Sequence, residues 1–140
     1  MWNELSTDEE LQNFMVTINY FHDSCIKEIN YISGAYVDSD LAMHPVNDIR
    51  SLRVVIQRQY SDYSTIELEF KELHYLSLRP TSDLYTCEIL HASLFKKNDL
   101  IYWSDCEMDF SKLANFKSKA TMICASRLRW RSIDEEASLK

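Results

Sequence analysis

His22-Asp23 sets an imidazole beside a carboxylate, the pairing that orients a general base. On a strand, neighbouring side chains leave by opposite faces, so a local capping or hydrogen-bonding role is the simpler reading. His22 and Cys25 have the separation of half a zinc site, and Cys87 and His91 lie four residues apart. Four residues of strand span roughly 13 Å, too far to share one ion. No second pair at chelating spacing completes the four-ligand set of structural zinc, so no metal or other cofactor is expected. Glu67 and Glu69 fall on one strand face about 7 Å apart, the separation of a glycosidase carboxylate pair. With Lys71 beside them, an ordinary solvated sheet face accounts for both.

The run Trp103-Ser104-Asp105-Cys106-Glu107-Met108-Asp109 sets three acids at alternate positions around an aromatic. If Trp103 points outward, Trp103, Asp105, Glu107 and Asp109, with Asp99 from the same hairpin, form a contact patch for a positively charged protein. Aromatic residues anchor interfaces, and complementary charge speeds encounter. If it points inward with Ile101, it is core. With strand geometry throughout, the three acids would share one face within about 14 Å. Neutralising them would then leave stability nearly unchanged.

Composition removes whole classes of function. A single glycine excludes a glycine-rich phosphate cradle. The net charge of −7 opposes binding to DNA or RNA. Arg127, Arg129 and Arg131 form the best basic cluster, but the interleaved Leu128 and Trp130 make it the solvated side of a strand. No nucleophile stands with its base in a known motif, which favours a non-enzymatic role. Met1–Glu10 is acidic where an export signal would be basic, and no apolar run approaches spanning length, so a cytoplasmic, membrane-free protein is expected. The scattered Cys25, Cys87, Cys106 and Cys124 then read as reduced thiols.

The elements that would position these residues centre on Arg50–Pro80. Leu52, Val54 and Ile56 alternate with polar residues, as do Ile66, Leu68 and Phe70, which predicts two paired strands with one dry face. Tyr60–Ser64 is a loose loop without glycine. The apolar parity shifts after Phe70, so a bulge is expected near Lys71-Glu72. Upstream, Ser6-Thr7-Asp8-Glu9-Glu10 is a capping-box start, and Leu11, Phe14, Met15 and Ile18 stripe a helix over about Asp8–Asn19. His22-Asp23-Ser24 breaks it. A strand is expected over Ile29–Val37 with Gly34 as a bulge, then a loop over Asp38–Asp48. Tyr85–Phe95 and Leu100–Cys106 should flank a turn at Lys96–Asp99. Asp109–Phe116 reads as a short helix or crossing and Thr121–Arg131 as the closing strand, while residues from Ser132 should fray. With 140 residues and no linker, one domain is expected over 1–140. The fold class is α+β: a curved, mainly antiparallel sheet or half-barrel with one N-terminal helix packed on it.

Phe21-His22-Asp23-Ser24 leading into a strand, Ile66-Glu67-Leu68-Glu69-Phe70 and Ala125-Ser126-Arg127-Leu128-Arg129-Trp130 occur in an order that resembles the immunity-protein-like domains of bacterial polymorphic toxin systems. That resemblance implies a cytosolic, non-enzymatic protein that binds and blocks a basic toxin domain. It transfers no contact residue. The alternatives are a small-ligand binder using the mouth of a half-barrel and a hydrolase built on distant carboxylates; homo-oligomers stay open.

Overall fold

The computed structural model describes residues 1–80, 86–107 and 120–133. The chain forms β1 (Asn3–Leu5), helix α1 (Asp8–Thr17), β2 (Ser24–Ile32), β3 (Tyr36–Val37), β4 (Met43–His44), β5 (Ser51–Arg58), β6 (Thr65–Ser77), β7 (Ser93–Lys97), β8 (Leu100–Ser104) and β9 (Met122–Ser132). The main sheet runs β2-β5-β6-β9-β8-β7, and β1 also pairs with β9. Every pairing is antiparallel. The predicted Asp109–Phe116 element lies outside the described residues, as do residues 81–85 and 134–140.

The central hairpin forms in the register that its alternation requires. Leu52 faces Phe70, Val54 faces Leu68 and Ile56 faces Ile66, all fully buried. Leu128 and Leu5 extend the first row across β9 and β1, and Trp130 extends the second. Trp130 is half-buried, with its ring 4.8 Å from Phe14 and 5.3 Å from Tyr63. The parity change of β6 is real. Glu72 has φ 54°, and the β6–β9 register slips between Leu73 and Tyr75.

Helix α1 begins where the capping box places it. Thr7 Oγ1 accepts from the Glu10 amide at 3.1 Å, and the Glu10 carboxylate accepts from the Thr7 amide at 3.0 Å. Bonds from the Ser6 amide, then the Thr7 amide and the Ser6 hydroxyl, hold the Glu10 carboxyl below its usual range. Leu11, Phe14, Met15 and Ile18 bury against the sheet with Phe21. The helix stops at Thr17 because Asn19, Tyr20 and Phe21 all take left-handed φ near 50–57° and Asp23 takes 58°. For residues with a Cβ each such turn costs about 1–2 kcal/mol, and tertiary contacts offset it. Arg58 Nη2 donates to the Ile18 carbonyl at 3.0 Å, and Nη1 donates to Asp62 and Tyr63 carbonyls at 2.8 and 3.0 Å. The Ala92 amide donates to the Tyr20 carbonyl.

Several expected elements differ. The strand expected over Ile29–Val37 with Gly34 as a bulge is β2, which starts at Ser24, ends at Ile32 and carries its bulge between Ile26 and Glu28, while Gly34 lies in the turn before β3. Residues 86–92 are not a strand. They cross the open end of the sheet, touching β2 by a single bridge, Ile89 to Ser24, so the curved sheet stays short of a closed barrel. Ser132 does not fray, for it ends β9, and the Ile133 amide donates to the Thr65 carbonyl at 3.0 Å. The Asn98-Asp99 turn is a two-residue hairpin with φ of 53° and 64°, as a primed turn requires.

The outer face of the sheet corrects the solvated-face expectation. Glu67 and Glu69 do point away from the core, yet Glu67 is only 2% exposed. Arg53 Nε lies 2.7 Å and Arg131 Nη2 3.2 Å from its carboxylate. Arg129 Nε donates to Glu69 at 2.7 Å, and Arg127 pairs with Glu72. Trp2 stacks on Arg129 and Arg131, with guanidinium carbons 4.1 and 4.4 Å from its ring. Removing one partner of a buried pair costs about 3–5 kcal/mol, and the solvent contact of both arginines lowers that here. Glu67→Gln should therefore lose on the order of 2 kcal/mol by urea unfolding, and more than Glu69→Gln. An equal loss in both variants would remove Glu67 from its special place.

Candidate functional site

The connection between β2 and β5 is long for a hairpin and makes no sheet of its own beyond β3 and β4, which pair only with each other. Its root is tight. The Ile49 and Arg50 amides both donate to the Ser33 carbonyl. Gly34 has φ 102°, and a Cβ there would meet Asp48 Oδ1 at 2.3 Å, so glycine is required. The tip is ordered by Asp38. Its carboxylate accepts from the Asp40 and Ala42 amides at 2.9 and 3.0 Å and from His44 Nε2 at 2.8 Å. The His44 ring lies stacked on Tyr36 at 4.5 Å. The His44 bond, then the Ala42 amide, holds the Asp38 carboxyl below the usual carboxylate range.

This ordered ribbon displays apolar side chains. Tyr36, Val37, Leu41, Met43, Val46 and Ile49 are exposed, Leu41 by 84%, and Tyr31 and Ile32 at the end of β2 join them. Singly exposed apolar residues are ordinary; here eight of them fall in one ribbon and the strand that carries it. Asp38, Asp40 and Asp48 supply acid at its rim. The loop expectation for Asp38–Asp48 missed the ribbon; its signal was large apolar residues in a stretch with no period and no core to face.

The acidic hairpin residues do not form one patch. Trp103 takes the inward orientation: it is fully buried, 5.7 Å from the Phe21 ring, and unavailable to a partner. Asp99 sits in the β7–β8 turn and Asp105 just past the other end of β8, roughly 20 Å away by strand rise. Strand geometry stops at Ser104, so the alternation assumed for Asp105 and Glu107 does not hold. Asp105 Oδ1 accepts from the Thr121 amide at 3.1 Å, so its neutralisation is not silent. Asp99 and Glu107 are exposed, and Asp109 lies outside the described residues.

The chemical candidates resolve into structural roles. His22 and Asp23 do meet, Nε2 to Oδ2 at 3.4 Å, because Asp23 is left-handed and not in a strand. His22 Nδ1 lies 2.8 Å from the Leu90 carbonyl, which makes the pair a local clasp between two turns. No cluster of three metal-ligating side chains occurs among the described residues. Cys25 lines a groove of about 450 Å³ with Asp23, Gln57, Cys87 and Glu88. Burial, then the neighbouring Cys87, pushes the Cys25 thiol up, which opposes a reactive thiolate. The carboxylates of Glu67 and Glu69 are each engaged by guanidinium groups, Glu67 by Arg53 and Arg131 and Glu69 by Arg129. Arg127, Arg129 and Arg131 each pair with a carboxylate on β6, Glu72, Glu69 and Glu67 in turn. The concave side of the sheet is filled by α1, and no helix of the described residues is long and apolar enough to cross a membrane.

Comparison with protein-family models, with curated proteins and with solved structures finds no match to this chain.

Two measurements test the assignment of roles. Because the folded Asp38 carboxyl is depressed, its contribution to ribbon order is present above about pH 4 and is lost as pH falls through the lower folded value. The Ala42 amide resonance should titrate with a midpoint below the ordinary aspartate value; a midpoint at or above that value would remove the clasp. Trp103→Ala should cost about 3–5 kcal/mol, whereas Asp99→Asn with Glu107→Gln should leave the melting temperature within a degree or two.

Proposed function

We propose that the chain is a non-enzymatic protein-binding module that uses the projecting ribbon, residues 31–49, as its contact surface. The observation that carries this reading is an ordered segment, held by its own hydrogen bonds, whose large apolar side chains stay exposed, with Tyr36 stacked on His44 of the same ribbon. Interfaces have an apolar centre and a polar rim, and this one has an acidic rim in a chain of net charge −7. A basic partner fits both. The resemblance to immunity-protein-like domains makes a basic toxin domain encoded beside this chain the first partner to test, with this chain as its cytoplasmic inhibitor.

Leu41→Asp with Met43→Asp should weaken co-purification with that partner by about tenfold or more, as loss of apolar interface centres does. The melting temperature should hold, since both side chains are largely exposed. Asp99→Asn with Glu107→Gln should only slow association at low salt. Undiminished binding by the Leu41/Met43 variant would exclude the ribbon.

A further inference from the structure

β2 is an edge strand. It pairs with β5 on one side, and on the other its only partner among the described residues is Ile89, at Ser24. The Gln59 amide donates to the Asp23 carbonyl, which turns the odd-numbered residues of β5 toward β2. The Arg58 amide donates the other way, to Ser64. Strand alternation then directs Cys25, Glu28, Asn30 and Ile32 at β5 and turns the backbone N–H and C=O of Ile29 and Tyr31 to the open edge.

The first half of this edge is guarded. A bulge falls between Ile26 and Glu28, Lys27 is exposed, and Ile89 bridges to Ser24. Bulges and lysines are the usual means of blocking a sheet edge. The second half, Glu28–Ile32, has no such guard, and it runs directly into the apolar ribbon.

We propose that this half-edge accepts an extended segment of another protein as an added strand, with apolar side chains on the ribbon and alternate basic side chains on its acidic rim. The inference rests on the ribbon reading above and adds the binding mode and the chemistry of the partner. Main-chain pairing supplies affinity in strand addition, and alternate side chains supply specificity. Charge selects the occupant. Glu28, Asp38, Asp40 and Asp48 lie along this stretch with no lysine or arginine between Lys27 and Arg50, although Asp38 is engaged by His44 and Asp48 shares a groove with Lys71, Arg127 and Arg129. A second copy covering the ribbon would bring the same acids with it, whereas a segment carrying Lys or Arg relieves them.

The test uses the full chain and a phage-displayed library of ten-residue peptides. Enriched peptides should alternate β-branched or aromatic residues with Lys or Arg. Tyr31→Pro removes an edge-facing N–H, which an edge strand tolerates, and should weaken a synthetic enriched peptide about tenfold or more. Tyr31→Phe should not. In the native chain, the Ile29 and Tyr31 amides should exchange fast alone and slowly with peptide, a readout independent of whether the proline variant folds. Peptide binding lost in Leu41→Asp with Met43→Asp, but without new protection at Ile29 and Tyr31, would overturn strand addition and leave the ribbon reading standing. Binding indifferent to both variants would overturn both, and a library yielding no enriched sequence would overturn strand addition alone. Concentration-dependent dimers abolished by Tyr31→Pro would make a second copy the occupant and overturn the basic partner.

Discussion

A carboxylate buried to 2% exposure in the middle of a sheet dictates much of what surrounds it. Glu67 lies on β6, the strand between β5 and β9, and takes one guanidinium from each neighbour. An isolated ionised carboxylate out of water is strongly unfavourable, so both arginines must be in place. This fixes register more tightly than apolar packing alone. A one-residue slip would turn Glu67 into the apolar core and Leu68 to the outside. The same three strands carry the Leu52–Phe70–Leu128 row on their other face. One face thus specifies alignment by charge while the other supplies the driving force by burial. Trp2 closes the charged side from above, which gives the short strand β1 a purpose beyond its three paired residues.

Arg58 performs a comparable task at the end of β5. Its guanidinium reaches the last turn of α1 and two carbonyls of the β5–β6 loop. A cation at a helix C-terminus is favourable, and α1 has no basic residue of its own in its last turn. Arg58 therefore replaces a local cap with a tertiary one. That anchorage lets the chain enter the left-handed turn at Asn19–Phe21 without glycine. Tyr20 is held from the far side by stacking on His91 at 4.7 Å. The strain is distributed between a charged anchor and a ring contact, and it delivers the chain to the start of β2.

What was legible in the sequence was whatever repeats. Leu52–Ile56 and Ile66–Phe70 alternate because one face is dry, and Thr7 with Glu10 announces a helix start by local chemistry. Alternation assigns a face but not what covers it. Glu67 is closed in by Arg53 and by Arg131, on whose guanidinium Trp2 lies, all distant in sequence, so its burial had no local signature. Trp103 was ambiguous for the same reason, since its direction is set by Phe21 on another element. The acidic run misled because period two was extended past Ser104, where pairing ends. The ribbon was invisible as a site because a segment that packs against no core has no reason to repeat. Its apolar residues looked like noise in a loop.

That lack of periodicity is itself informative once the coordinates show order. An 84%-exposed Leu41 gains nothing from the fold, and water contact with a row of such side chains favours association. The ribbon nevertheless is braced by Asp38, His44, Gly34 and the Ser33 carbonyl, all of which limit its conformations. Preorganisation of an exposed apolar surface lowers the entropy lost when a partner docks. The rest of the scaffold points the same way. Its core is filled and its buried charges are paired on the far face, so neither requires anything from outside. At one corner an outer edge at Ile29 and Tyr31, with no strand partner among the described residues, meets exposed apolar side chains and acids. Edge backbone seeks any strand, the apolar surface seeks any hydrophobe, and only the acids discriminate. Under the proposed strand addition, specificity at this corner comes from charge, with affinity supplied by the other two.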